Sequence, residues 1–117
     1  FRSGAQRASA RIALQQNVSA LRQFSSVVLR AYREVESALA TEKSLAEQNK
    51  YLSNELKQAE LAERQAMRDY SEGLIQIISV LEAQRRAVAS RRAMIFLKNQ
   101  RIQNRIDLHL ALGGDFD

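Results

Sequence analysis

A chain of 117 residues with no cysteine, no tryptophan, no proline and only 6% aromatic residues has no disulfide, no thiolate metal site and no large aromatic core to build on. Its longest apolar run, Leu74 to Leu81, is interrupted by Gln76 and Ser79 and falls well short of the roughly 20 residues of a membrane-spanning helix. The formal charge of +5 would suit nucleic acid or anionic lipid, but acidic and basic residues alternate through the first half, as in Arg33-Glu34, Glu42-Lys43 and Glu63-Arg64, which is the look of a solvated helix face.

The elements follow from where glycine stands. Gly4, Gly73, Gly113 and Gly114 are the four, and the intervals between them are rich in Ala, Leu, Gln, Glu, Arg and Lys, which lose little entropy on becoming helical. Residues 1–4 read as an irregular segment, the end of a preceding strand or loop. A long helix is predicted over 5–70, a tip turn over 71–74, a returning helix over 75–112 and a C-terminal tail over 113–117. At about 1.5 Å per residue the first helix alone reaches roughly 100 Å, whereas a globule of this size has a radius of gyration of about 13 Å. The fold class is therefore all-α, a long antiparallel helical hairpin of coiled-coil character. Phe1 is not an initiator methionine, so the chain is expected to be processed or part of a longer protein.

In the long helix, Leu21, Phe24, Val28, Ala31, Val35 and Ala38 fall at alternating steps of three and four, and the series continues through Leu45, Leu52, Leu56, Ala59, Ala66 and Tyr70. A mean step of 3.5 is the mark of left-handed coiled-coil packing. Glu42, Asn49 and Glu63 interrupt the seam. A second apolar set (Leu14, Val18, Val27, Tyr32, Leu39, Ala46) lies partly off it, which implies two neighbours rather than one.

The returning helix carries Leu74, Ile78, Leu81, Val88, Ile95, Ile102 and Ile106, interrupted by Arg85, Arg92 and Asn99. It has a second set as well: Ile77, Val80, Ala87, Met94, Leu97 and Leu108. Folded back from Gly73, it leaves roughly the first 40 Å of the long arm without an intrachain partner. Ile12, Leu14, Val18 and Phe24 lie there, too apolar a face to stay bare.

Three stations and a turn then stand in order. They are Ala31-Tyr32-Arg33-Glu34-Val35-Glu36-Ser37-Ala38-Leu39, the Tyr70-Ser71-Glu72-Gly73 turn, Ser79-Val80-Leu81-Glu82-Ala83-Gln84, and Leu108 to Phe116 with its Gly113-Gly114 pair. With them the chain resembles the C-terminal helical hairpin, in the second repeat, of TolC-like outer membrane efflux proteins. Phe1-Arg2-Ser3-Gly4 is similar to the point where that family's last β-strand leaves the barrel. The resemblance covers nearly the whole chain.

The resemblance implies a homotrimer whose helices form a periplasmic tunnel joined to an outer-membrane β-barrel absent from this chain. It implies a passive conduit in a Gram-negative cell envelope, gated at the helix tips by a periplasmic adaptor protein and an inner-membrane pump. The closing Gly-Gly-Asp-Phe leans toward drug or metal efflux. By the same resemblance Glu82 and Ser79 line the narrow end of the pore, where carboxylates from three protomers repel and raise one another's pKa. Ser79 stands where some members carry a second acidic residue. Tyr70, Gly73 and Leu74 fall at the tip and adaptor contact, and Ile75 stands where some members carry a base. Read from the residues alone, Glu82 is equally a solvated glutamate three residues before Arg85, and Tyr70 a seam residue with its hydroxyl in water.

Arg91, Lys98 and Arg105 repeat every seven residues. Without stacking aromatics or a nucleic-acid module they read as a solvated or salt-bridged face, so no nucleic-acid partner is expected. His109 is the single histidine, a helix-end residue complementing the dipole rather than a metal ligand. No catalytic set, cofactor loop or metal site is present in the pattern, so an enzyme is not expected. The alternative reading is a structural coiled-coil hairpin, of an adaptor or a scaffold, that mediates protein–protein contact.

Overall fold

The computed structural model describes residues 2–114. Two helices account for nearly all of them: α1, Arg2–Ser71, of 70 residues, and α2, Ile77–Ala111, of 35 residues. They fold back on each other into a rod of 105 × 25 × 21 Å. The long dimension is what α1 gives as an unbroken helix at about 1.5 Å per residue, since no proline interrupts it. The predicted all-α hairpin is what the chain forms, with no strand among the described residues. Phe1 and the closing Asp115, Phe116 and Asp117 lie outside them.

The first boundary differs from expectation. Arg2, Ser3 and Gly4 are helical, continuous with Ala5 and beyond, where an irregular segment was predicted. One glycine inside a run of helix formers costs about 1 kcal/mol relative to alanine, too little to stop propagation.

The tip differs too. Helix α1 runs on through Ser71, whose Oγ donates to the Arg68 carbonyl at 2.7 Å. It then closes in a Schellman motif: Gly73 N–H donates to Tyr70 O at 3.0 Å and Leu74 N–H to Asp69 O at 2.8 Å, with Gly73 at φ +75°. Because Leu74 is consumed by this cap and Gln76 is extended (φ −82°, ψ 155°), α2 begins at Ile77 rather than at 75. Helix α2 ends the same way, with Gly113 at φ +77°, Gly113 N–H bonded to Leu110 O and Gly114 N–H to His109 O, each at 3.0 Å. Both stops are built from the chain's own carbonyls.

The contact between the helices is a single narrow seam. On α1 the residues withdrawn from solvent are Ala31, Val35, Ala38, Glu42, Leu45, Asn49, Leu52, Leu56, Ala59, Glu63 and Ala66, members of the three-four series read from sequence, polar ones included, together with Ala46, Glu60 and Asp69 beside it. On α2 they are centred on Val80, Ala87, Ser90, Leu97 and Asn104. That is the lighter of α2's two apolar faces. Its heavier face, with Ile78 at 55%, Ile95 at 60% and Ile102 at 55% exposure, points away from α1. Small residues at the contact allow two backbones to approach closely: Ala87 is 0% exposed, and Leu97 is the one large side chain fully buried among the described residues.

Residues 2–30 of α1 are exposed throughout. They extend roughly 45 Å past the reach of α2 and carry Leu21 and Phe24 at 67% and 69% exposure.

Two substitutions test this packing. Ala87→Leu adds volume where the helices touch and should destabilise the hairpin by about 1–3 kcal/mol. Gly73→Ala crowds no neighbouring atom but places a side chain in the left-handed region, for about 1–2 kcal/mol. Urea denaturation followed by circular dichroism reads both as lowered midpoints.

Candidate functional site

The structure brings the five residues singled out from sequence to one end of the rod. Tyr70 is the penultimate residue of α1, half-exposed at 48%. Gly73 and Leu74 form the cap, with Leu74 at 68% exposure. Ser79, half-buried, sits in the first turn of α2, its N–H bonded to Gln76 O at 3.0 Å. Glu82, one turn further on, is exposed. The Tyr70 hydroxyl makes no hydrogen bond within the described residues and so is free to meet a group outside this chain.

The electrostatics of this end follow from the two helix termini. Helix α1 presents its carbonyl end with Arg68 in the last turn, the sign that complements a C-terminal dipole. Helix α2 presents its N–H end with no side-chain cap and no acidic residue in the first turn. Glu82 is the first carboxylate of α2. The tip therefore offers exposed apolar side chains (Leu74, Ile77, Ile78), backbone donors and the exposed carboxylates of Glu72 and Glu82, beside a half-buried Asp69 that accepts from Gln65 at 2.7 Å. These are the means to pack against another helix end and to attract cations. Among the described residues no group of three His, Cys, Asp or Glu is placed to hold a metal ion.

A second polar feature, along the inner seam, was only half legible in the sequence. Glu42 and Glu63 were visible as interruptions of the apolar series, but not their partners. Arg101 Nη2 donates to Glu42 Oε1 at 2.7 Å, with both side chains about three-quarters buried. Asn104 Nδ2 donates to the Ala38 carbonyl at 2.9 Å. Nearer the tip, Arg91 bridges two carboxylates, Glu60 at 3.3 Å and Glu63 at 3.1 Å. So the first member of the Arg91, Lys98 and Arg105 stripe is an interhelical pair, and Lys98 is exposed. Antiparallel register gives only the neighbourhood of these pairs: equal steps from Gly73 set Arg101 opposite Leu45, three residues from Glu42, and Arg91 opposite Glu55, five from Glu60.

The Arg101 hydrogen bond holds the Glu42 carboxyl below the usual carboxylate range, against the opposing effect of burial, and the charges of Arg101 and Arg105 add to it. Arg91 is raised by its bonds to Glu63 and Glu60 and stays charged. Glu42 Oε2 and Arg101 Nε are buried without a partner, so this pair is held by one good bond where a forked pair would have two.

The comparisons with known proteins agree with one another. The family model described as outer membrane efflux protein matches residues 1–114. The chain is similar to the cation efflux system protein CusC of Escherichia coli K12, at 29% identity over 97% of this chain and 25% of that protein. It is similar to the pyoverdine export outer membrane protein OpmQ of Pseudomonas aeruginosa, at 30% over 97% of this chain and 24% of that protein. It is also similar to the probable outer membrane lipoprotein SilC of Salmonella typhimurium, at 26% over 97% and 25%. The chain thus spans about a quarter of the length of the curated relatives it matches. No solved structure matches it significantly.

The seam pair makes a pH dependence with a definite sign. A carboxyl whose pKa is depressed on folding stabilises the fold above its unfolded pKa and loses that contribution as pH falls through its folded pKa. Between neutral and strongly acid pH the hairpin should lose stability through Glu42, and Glu42→Gln should flatten part of that slope. Denaturant midpoints of the two proteins from pH 7 to pH 3 measure the difference. Parallel curves would mean that the pair is not formed in solution.

Proposed function

Because the chain belongs to the outer membrane efflux protein family, we propose that it is the long helical hairpin of a passive efflux conduit, the periplasmic part of a trimeric channel based in the outer membrane. The single observation that carries this reading is the family match along residues 1–114 to a chain whose two helices leave most of their apolar surface uncovered. A rod 105 Å long is suited to spanning the space between two membranes; among the described residues no helix is long and apolar enough to cross a membrane. The heavy face of α2 and residues 2–30 of α1 are suited to neighbouring tunnel helices.

In this reading the conduit performs no chemistry. Its gate is the tip, where Tyr70, Gly73, Leu74, Ser79 and Glu82 gather. Closing brings three copies of Glu82 together, concentrating cations and giving the site a charge that depends on how near the copies stand. Opening moves the tips apart, driven by a periplasmic adaptor and an inner-membrane pump that bind the open arrangement better than the closed one. The Tyr70 hydroxyl supplies a contact to an adjacent helix in the closed arrangement. Relatives named for cation efflux and for pyoverdine export support a cargo of ions or small molecules.

In the full-length channel, Glu82→Ala should change single-channel conductance in planar bilayers and weaken its dependence on the cation present. Tyr70→Phe should raise the resting conductance. Currents unaltered by both changes would remove these residues from the gate.

A further inference from the structure

Two exposed rings stand on the flank of the hairpin that carries Glu82. On α2, Phe96 follows Glu82 by two heptads, so the two share one face and stand about 21 Å apart along the rod. Phe96 is 65% exposed, and between it and Glu82 that column holds Ala89 alone. It lies about 100° around the helix from its neighbour Ile95, and so off the apolar column of Leu81, Val88, Ile95 and Ile102. On α1, Tyr51 is 72% exposed, and its hydroxyl makes no hydrogen bond among the described residues.

The interhelical pairs set Tyr51 and Phe96 at one level. Tyr51 is midway between Glu42 and Glu60, and Phe96 is midway between their partners Arg101 and Arg91. The pairs also fix rotation. Arg91 and Glu60 each lie about 75° from the inner seam and meet across one flank. Tyr51 and Phe96 lie about 130° from the seam in the opposite sense on each helix, so both belong to the other flank. Between the rings that flank is small or polar, with Ala93, Gln48 and Gln100. From this level to the tip it carries Glu55, Asp69, Glu72 and Glu82 against one base, Arg86. The lysines Lys43, Lys50 and Lys57 stand on the flank of Arg91 instead. A chain of net charge +5 thus has a locally acidic face, and the two rings are on it.

We infer that Tyr51 and Phe96 form a contact site for planar aromatic cations inside the conduit. This deepens the channel reading and rests on it for one point, that the flank bearing Glu82 faces the lumen. An aromatic face attracts a cation through its quadrupole and stacks against a flat ring. Carboxylates on the same flank raise the local concentration of cations. An aliphatic cation gains from the carboxylates but has no ring to stack. The rings stand on different helices at one height, so a flat solute crossing this level meets both helices of the hairpin. Such contacts are individually weak, which suits a conduit whose cargo must leave as readily as it enters.

The test uses the full-length channel in planar bilayers, with ethidium as the planar aromatic cation and tetraethylammonium as the aliphatic one. Ethidium should block the wild-type current at a concentration about fivefold or more below that of tetraethylammonium. The double variant Tyr51→Ala and Phe96→Ala should raise the half-blocking concentration of ethidium about tenfold and leave that of tetraethylammonium within about twofold. Replacing both rings by leucine should lose the block equally, while Phe96→Tyr with Tyr51→Phe should keep it. Ethidium block undiminished by loss of both rings overturns the inference, and so does block retained by the leucine pair. In a cysteine-free channel, Phe96→Cys should react with a cationic, water-soluble thiol reagent; no reaction would mean that a neighbouring helix covers the position, which also overturns it. A protein that conducts but blocks alike with and without the rings keeps the channel reading and removes this site. A protein that forms no channel removes both.

Discussion

Everything in this structure follows from two straight helices touching along one line. A helix has several faces and a hairpin covers one of them. The hidden residues form a stripe one or two side chains wide, with a single large side chain, Leu97, fully enclosed among the described residues. Burial at about 25 cal/mol per Å² rewards covered area, and a line contact covers little. The remaining apolar surface, from Ile12 near one end to Leu74 at the tip, belongs energetically to contacts outside the chain. Fold and function meet at this point, because a protein that cannot satisfy itself is a component.

The polar members of the seam serve a purpose that the apolar ones cannot. Alanine-rich contacts slide and rotate at low cost, since one small residue fits much like another. Arg101 with Glu42, Asn104 with the Ala38 carbonyl, and Arg91 between Glu60 and Glu63 fix height and rotation. Buried ionic groups are weak contributors to net stability but discriminate strongly between arrangements. They also explain why the lighter face of α2 turns inward. The α1 seam has acidic positions to satisfy, and the face of α2 bearing Arg101 and Asn104 answers them while its alanines let the backbones close.

Much of this was legible in the sequence, for reasons that differ by element. The α1 seam from Ala31 to Ala66 was readable because a long uninterrupted helix leaves heptad spacing undisturbed. The hairpin was readable because one glycine divides two long runs of helix formers. The ends were less so. Helix α2 starts at Ile77 because the Schellman cap consumes Leu74 and leaves Gln76 extended, and hydrogen bonds of that kind are not written in periodicity. Nor did hydrophobicity show which face of α2 meets α1, since the greasier face is the outer one. That choice depends on volume and charge across the contact, a property of pairs of residues. The tip residues were legible as a cluster only through family resemblance: Tyr70, Gly73 and Glu82 taken singly are ordinary constituents of a helix–turn–helix.

The bare stretch at the start of α1 has a consequence for how such a protein comes together. A solitary helix of that length hovers near the edge of stability in water, because nucleation is costly and propagation only weakly favourable. From Ala31 to the tip, α1 is braced by α2; over residues 2–30 it has no brace among the described residues. Order is therefore graded along the rod, surest at the capped bend and most conditional at the far extremity. Assembly acquires a direction: the bend zips first, and the distant turns of α1 become permanent only when another helix arrives to hold them. Completion of the fold and recruitment of its neighbour are then a single event.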